Sequence, residues 1–387
     1  MRRMPPPAPL RAPLAGLDTP SLLLERVKLE MNAKRLSARI AALGTRLRLH
    51  VKTAKCVEVT RVVLGEAGGP IAVSTLKEAE VFAQHGYRDI LYAVCIAPNK
   101  FARAIALAQR GLRLSVVLDS IESARALAQA LRGARASVQV LIEIDSDGHR
   151  AGLAADDPRL LEVAAELARG GAAVSGVMTH AGESYNCRST DAIREIARRE
   201  RDAAVHAATR LRDAGHPANV VSVGSTPTAT FIDDLEGVTE VRAGVFVFFD
   251  LVMAGIGVCA VDDIAISVLA TVTGHQRDKG WAITDAGWMA LSRDRGTAGQ
   301  PLDQGYGVVC DAAGRPIPDL IVSEVSQEHG IVTHRSGDPR RLPELPVGSL
   351  LRILPNHACA TAAQYDCYRV LGGDGRVEAI WNRFSGW

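Results

Sequence analysis

The sequence predicts a (β/α)8 barrel followed by an all-β domain. Three observations carry that reading. Eight β-rich apolar runs alternate with helix-type patterns. The alternation fills roughly 230 residues, the length of such a barrel. After about residue 262 the helical pattern stops, and short β-like runs separated by Gly, Pro and Asp take over.

The expected barrel strands are Arg46–Thr53, Pro70–Leu76, Asp89–Cys95, Arg113–Ser120, Ser137–Asp145, Val174–His180, Val220–Thr226 and Glu240–Gly244. Helix-type patterning lies between them, over Leu29–Leu43, Leu76–His85, Phe101–Gln109, Ser120–Leu131, Asp157–Ala168 and Asp191–Ala214. A doubly wound open sheet is the runner-up, but it would more often carry a Gly-rich turn after its first strand, and none occurs. The second domain is read from Ile264–Thr273, Trp281–Asp285, Ile321–Val325, Gly348–Leu354 and Val377–Ile380, with Ser21–Leu24 as a strand that could pair with it. The expected boundaries are a loose proline-rich leader over 1–16, a barrel over 26–261, and a β-domain made of 17–25 plus 262–387.

Composition narrows the class. The 387 residues are 47% hydrophobic and 23% charged, ordinary for a globular enzyme. A net charge of +2, with scattered arginines, gives no reason to expect nucleic acid or an acidic membrane as partner. The leader lacks an apolar core, so it does not read as a secretory signal. Seven cysteines, odd in number and without a CxxC, argue against a disulfide framework and for a reducing, cytoplasmic setting.

Polar residues gather at the carboxyl ends of the predicted strands, where such barrels do chemistry. In Arg46–Lys55, RLRLHVKTAK, alternation sends Leu47, Leu49 and Val51 to one face and Arg48, His50 and Lys52 to the other. An inward lysine at the end of a buried strand is a candidate nucleophile, able to form a Schiff base once desolvation, Arg48 or His50 depresses its pKa. An edge strand with a wet polar face is the alternative. Lys55 has the wrong parity or lies past the strand. Gly224–Ser225–Thr226–Pro227–Thr228 reads as a phosphate cradle, a helix cap, or both. Gly244, after Arg242, falls at the second position where barrels bind phosphate. His357 and Cys359, at i and i+2 of an extended chain, would share a face and suit zinc; a buried free cysteine beside a structural histidine is the alternative. Tyr185 stands in a polar loop of a chain with 4% aromatics. The stretches Asp285–Ser292 and Ser326–Gly330 could line a site or simply be turns, and the structural reading is preferred.

Taken together, HVKT, DGHRAG, HAG with SY, VSVGSTPT and VRAG at these strand ends resemble the fold-type III pyridoxal-phosphate enzymes. The segments DKGWAI, DAGWMA, SRDRGTA, SQEHGI and LRILPNHACAT are similar to the D-serine dehydratase and D-threonine aldolase branch. The resemblance covers the chain after the leader. It implies an alanine-racemase-like barrel with a C-terminal β-domain, and a homodimer in which one chain's β-domain covers the other's barrel. It implies that Lys52 is the Schiff-base lysine and the general base. Arg150, Tyr185, Ser225, Thr226, Arg242, Gly244 and Val245 would join it in binding pyridoxal 5'-phosphate, with Arg242 facing the pyridine nitrogen. His357 and Cys359 would bind a divalent metal, zinc foremost, with manganese, cobalt or magnesium as alternatives. The aldolase branch tends to carry an acid where Cys359 stands, so the pair favours dehydration. The implied substrates are small 3-hydroxy-D-amino acids: 3-hydroxy-D-aspartate would give oxaloacetate and ammonia, D-serine pyruvate. Retro-aldol cleavage, a non-catalytic cofactor carrier, and a racemase using Tyr185 as second base are the other readings. The family has Asn where this chain has Ser326.

Overall fold

Runs of β-branched and aliphatic residues broken by Gly and Asp turns form strands, and Ser or Thr caps start several of the helices between them. Thr75, Ser120 and Ser189 each accept a backbone N–H from the first turn that follows. The computed structural model describes residues 13–134 and 136–387. The first twelve residues of the expected leader lie outside them.

In chain order the elements are β1 (Ser21–Glu25), α1 (Arg26–Ala42), β2 (Arg46–His50), α2 (Val57–Leu64), β3 (Ile71–Val73), α3 (Leu76–Gln84), β4 (Asp89–Cys95), α4 (Phe101–Gln109), β5 (Arg113–Leu118), α5 (Ile121–Arg132), β6 (Gln139–Asp145), β7 (Leu153–Ala154), α6 (Arg159–Arg169), β8 (Val174–Thr179), α7 (Thr190–Asp213), β9 (Val220–Val223), α8 (Thr226–Phe231), β10 (Glu240–Ala243) and α9 (Leu251–Gly255). There follow β11 (Ile266–Gln276), β12 (Trp281–Thr284), α10 (Trp288–Leu291), β13 (Val308–Cys310), β14 (Pro316–Val325), β15 (Gly330–His334), β16 (Leu350–Leu354), α11 (Ala358–Ala362), β17 (Cys367–Leu371) and β18 (Val377–Asn382). Among the described residues no helix is long and apolar enough to cross a membrane.

Two units emerge. One comprises residues 33–246 with 386–387; the other joins the described residues up to Asn32 to residues 247–385. In the first, β2, β3, β4, β5, β6, β8, β9 and β10 pair in parallel, and β5 bonds to β6 to close the barrel, with β7 added beside β6. Each predicted barrel strand finds its place. Register aligns Arg48 with Arg242, His50 with Ala72, Leu91 with Ser115 and Met178 with Ser222. That parity points inward: Ala72, Leu91, Ala93, Val117, Leu141 and Met178, from five strands, form one buried cluster. The opposite parity, with Leu49, Ile71, Ile90, Val116, Ile142 and Val241, is buried beneath the helices.

Leu141 is 1% exposed at the centre of that lumen. Leu141→Ala is expected to cost about 2–5 kcal/mol, because a closed barrel cannot collapse onto the cavity. Urea unfolding should show a lowered midpoint at unchanged slope. Val347→Ala, at a side chain 64% exposed, should change stability by less than about 0.5 kcal/mol.

The second unit is a nine-stranded sheet in the order β12-β15-β14-β13-β16-β11-β1-β17-β18, with β12 also bonded to β11. β1, which precedes the barrel in sequence, lies antiparallel to β11 and parallel to β17. The structure differs from the expected boundaries in three places. Leu14–Gly16 is a 3-10 turn, and Leu14 and Leu17 pack on Leu23, Leu269, Leu371 and Val377, so the end of the leader is part of a core. Residues 247–261 group with the β unit, because Leu251 and Val252 donate to Pro355 O and Asn356 O, and Ala265 donates to Phe248 O. Trp387 groups with the barrel, its carbonyl 3.3 Å from an Arg103 Nη.

Candidate cofactor and metal sites

The carboxyl end of the barrel collects charge. β2 stops at His50, and Val51–Ala54 form a turn closed by Lys55 N–H on Val51 O at 2.8 Å. Strand parity therefore does not reach Lys52: it stands on the turn, with its residue exposed in the single chain. Arg48 cannot tune it as expected, because its guanidinium turns to Glu240 (2.7 Å) and Asp89 (2.9 Å). Lys55 is committed elsewhere, 3.2 Å from the fully buried Glu78.

Five predicted or neighbouring groups share one field. Burial holds His50 well below the ordinary histidine value, and the charges of Lys52, Arg242, His180 and Arg150 push it further. His180 falls to about 3, through burial first and then Lys52, Arg150 and Arg242. Its Nδ1 lies 3.2 Å from Gly224 O, which can only accept, so Nδ1 carries the proton and Nε2 is the acceptor. Tyr185 sits in the 3-10 turn Gly182–Asn186, its ring centroid 6.2 Å from that of His180. Burial lowers Arg242 to about 10, against the raising influence of Glu200, Glu240 and Glu143, so it remains a cation at neutral pH. Arg150 is half-exposed, 3.7 Å from Glu143.

The GST segment is a cap and more. Ser225 N-caps α8: its Oγ accepts Thr228 N–H at 3.2 Å and lies 2.9 Å from Ser184 Oγ. Thr226 Oγ1 is buried and has no partner among the described residues. Gly224 has φ +124°, and a Cβ there would lie 2.4 Å from Arg242 O; at Gly244 it would meet His50 O at 2.8 Å. Val245, 7% exposed, opens the 3-10 turn that follows. An orphaned hydroxyl, backbones too close for a Cβ, a lysine, two arginines and two neutral imidazoles fit an anionic aldehyde cofactor.

Glu200 is a buried anchor of these loops that sequence reasoning missed. It lies on α7, fully buried, and one oxygen accepts both Ala181 N–H (2.9 Å) and Gly224 N–H (3.0 Å). It ties the loop after β8 to the loop after β9. Burial pushes its pKa up. The signal was present: Glu200 continues the buried stripe Ile193, Ile196, Ala197, Ala204 at helical spacing.

His180 supplies a pH test. Its folded value lies below the ordinary 6.5, so its contribution to stability is complete above pH 6.5 and is lost as pH falls toward 3. Stability from urea unfolding should fall already between about pH 6.5 and 4.5, above the carboxylate range. His180→Asn should make that part of the profile shallower, leaving the share that belongs to His50.

The second site lies in the β unit. His357 is the extended N-cap of α11, and Cys359 lies in that helix's first turn. The pair meets across a cap, not along an extended chain as the spacing suggested; the two side chains hydrogen-bond. His357 Nδ1 lies 2.6 Å from Asp294 Oδ2, so Nδ1 donates and the carboxylate orients the ring. Burial opposes the charge on His357, but Asp294 and Cys359 outweigh it and push it up to about 11. Asp250 is buried and accepts Ala358 N–H (2.9 Å) and Met253 N–H (3.0 Å). Asn356 is held by Thr297 (2.7 Å) and Gly305 O (2.6 Å). Among the described residues no group of three or more His, Cys, Asp or Glu is placed to hold a metal ion, so a cation here would rest on the His357–Cys359 pair alone. Imidazole plus thiol with a carboxylate behind the ring fits a divalent cation with open positions. Asp285–Ser292 and Ser326–Gly330 support one another: Trp288 N–H donates to Ser326 O and Met289 N–H to Gln327 O.

Comparison with known proteins gives two family matches: "Alanine racemase, N-terminal domain" over residues 25–252, and "Putative serine dehydratase domain" over residues 265–371. The chain is 51% identical over 377 residues to a D-threo-3-hydroxyaspartate dehydratase of Delftia sp. (strain HT23), covering 97% of this chain and 99% of the relative. A solved structure of that enzyme superposes with a TM-score of 0.93, covering 96% of this chain and 99% of that one. Another, at 50% identity and the same TM-score and coverages, is a cysteine-to-alanine mutant in the metal-free form. A D-serine dehydratase of Dictyostelium discoideum is 30% identical over 385 residues, covering 94% of this chain and 95% of the relative.

Proposed function

This chain belongs to the alanine-racemase-like family of fold-type III pyridoxal-phosphate enzymes, in the branch with a D-serine dehydratase domain, and we propose that it is a metal-dependent dehydratase of 3-hydroxy-D-amino acids. The foremost substrate is D-threo-3-hydroxyaspartate, giving oxaloacetate and ammonia, with D-serine to pyruvate as a second. The observation that carries this reading is the His357–Cys359 pair backed by Asp294. A D-threo-3-hydroxyaspartate dehydratase solved as a cysteine-to-alanine mutant in the metal-free form supports a cysteine near the metal in such a fold.

Pyridoxal phosphate, bound through Lys52, would supply the electron sink that makes the substrate's Cα–H acidic. A divalent cation on His357 and Cys359, zinc foremost and otherwise manganese, cobalt or magnesium, would supply Lewis-acid help to the departing β-hydroxyl. The remaining work falls to the chain. The Lys52 amine takes the Cα proton from one face, which fixes the configuration accepted. Arg150 holds an anionic group and Arg242 faces the ring nitrogen, and Thr226 Oγ1 and the Ser225 cap receive phosphate. His50 and His180 stay neutral beside them and neither donates a proton at neutral pH nor repels the cations. Gly244 and Val245 form the backbone floor. Tyr185 lies against His180 on the loop that Glu200 anchors.

A Lys52 exposed in the single chain supports a homodimer, with a second copy to exclude water. Seven free cysteines support a cytoplasmic setting. Ammonia release from D-threo-3-hydroxyaspartate and D-serine tests the function. It should be lost on chelation and return with added divalent metal. Release indifferent to chelator, or none with both, overturns the proposal.

A further inference from the structure

Inside the barrel four buried side chains form one hydrogen-bonded line that the reaction does not touch until its end. Arg48 Nε and Nη2 meet Glu240 Oε1 and Oε2 at 2.7 and 2.8 Å. Ser222 Oγ lies 2.7 Å from Glu240 Oε1, and Arg242 Nη1 lies 2.8 Å from Ser222 Oγ. All four residues are at most 3% exposed. Proton count fixes the direction. A carboxylate only accepts, so the single Ser222 hydroxyl proton goes to Glu240, and the Ser222 lone pairs accept from Arg242. Thr179 O accepts from Nη2. The guanidinium is thus clamped by acceptors on β8 and β9. Glu240 is held in turn by Arg46 at 2.8 Å, and Arg48 by Ile71 O at 3.1 Å and Asp89 at 2.9 Å.

We propose that Ser222 and Glu240 are positioning residues that aim the Arg242 guanidinium at the cofactor's ring. The proposal rests on the cofactor reading above. A pinned guanidinium can only donate, so a ring nitrogen facing it stays an unprotonated acceptor. If Ser222 is lost, Arg242 keeps its charge but loses one of two clamps, and Glu240 loses a donor. Glu143 and Glu200 also act on Arg242, yet neither is hydrogen-bonded to Ser222 and both remain in the variants below.

The test is a graded series, Ser222→Ala, Ser222→Cys and Ser222→Thr, read in the holoenzyme by the pH dependence of the bound cofactor's absorption and by kcat against KM. Ser222→Ala should shift the pH midpoint by about half a unit or more and lower kcat about tenfold, with KM within about threefold. Ser222→Cys, a weaker acceptor in the same space, should fall between, and it carries the test if the alanine variant does not fold. Ser222→Thr, which keeps the hydroxyl, should restore both readouts. A series that changes only thermal stability, with midpoint and kcat unmoved, makes the line structural and overturns the proposal. If the unsubstituted protein binds no pyridoxal phosphate, the cofactor reading has failed instead, and that result is read before any variant.

Discussion

Lys52→Ala should remove the proposed covalent link to pyridoxal phosphate and lower kcat by about 10⁴ or more. The size follows from the double duty assigned to one amine. A missing general base alone costs about 10²–10⁴, and loss of the covalent anchor adds misplacement of the cofactor. Borohydride reduction of the unsubstituted protein, followed by peptide mapping, should place the adduct on Lys52. The nearest competitor in sequence is Lys55, and its amine is paired with buried Glu78. A reducible adduct on Lys55, or one that survives in Lys52→Ala, contradicts the assignment. The field of His50, His180, Arg150 and Arg242 stays intact in the variant, so noncovalent cofactor should still bind, only more weakly.

Loss of either proposed metal ligand is expected to be the second large effect. His357→Ala and Cys359→Ala should each strip the divalent cation and lower ammonia release by about 10² or more, while the cofactor's visible absorption remains. Metal content by mass spectrometry and the absorption spectrum check the two halves separately. If His357 and Cys359 are the pair that holds the cation, removing one leaves a single donor, and partial retention is not expected. Asp294→Asn should act more mildly, costing about 10–100-fold in metal affinity, because it loosens the His357 ring without removing a donor. Full activity in His357→Ala or Cys359→Ala denies the metal a role.

Much of the fold is legible in the sequence. The barrel strands could be read because burial on both faces makes each one a continuous apolar run, and the alternation in Arg46–His50 put Arg48 and His50 in the lumen. Lys52 was reached for a reason that the structure does not support. The strand ends two residues earlier, and a turn presents the lysine. Likewise His357 and Cys359 converge because a helix starts between them, which an i, i+2 argument on an extended chain does not contain. The strands β13, β15 and β17 are not legible in the sequence because their pairing partners β14 and β16, β12 and β14, and β1 and β18 are what define them. Glu200, Asp294, Ser222 and Glu240 were unread for a related reason. Each matters through a partner 18 to 63 residues away or through a loop it ties down, and single-sequence periodicity has no means of naming that partner.

Product identification from D-threo-3-hydroxyaspartate in the presence of pyridoxal phosphate and zinc tests the central claim most directly. Elimination predicts oxaloacetate and ammonia in equal amounts, with neither formed after chelation. Glycine and glyoxylate without ammonia would show carbon–carbon cleavage instead, and would contradict the assignment of this chain as a dehydratase.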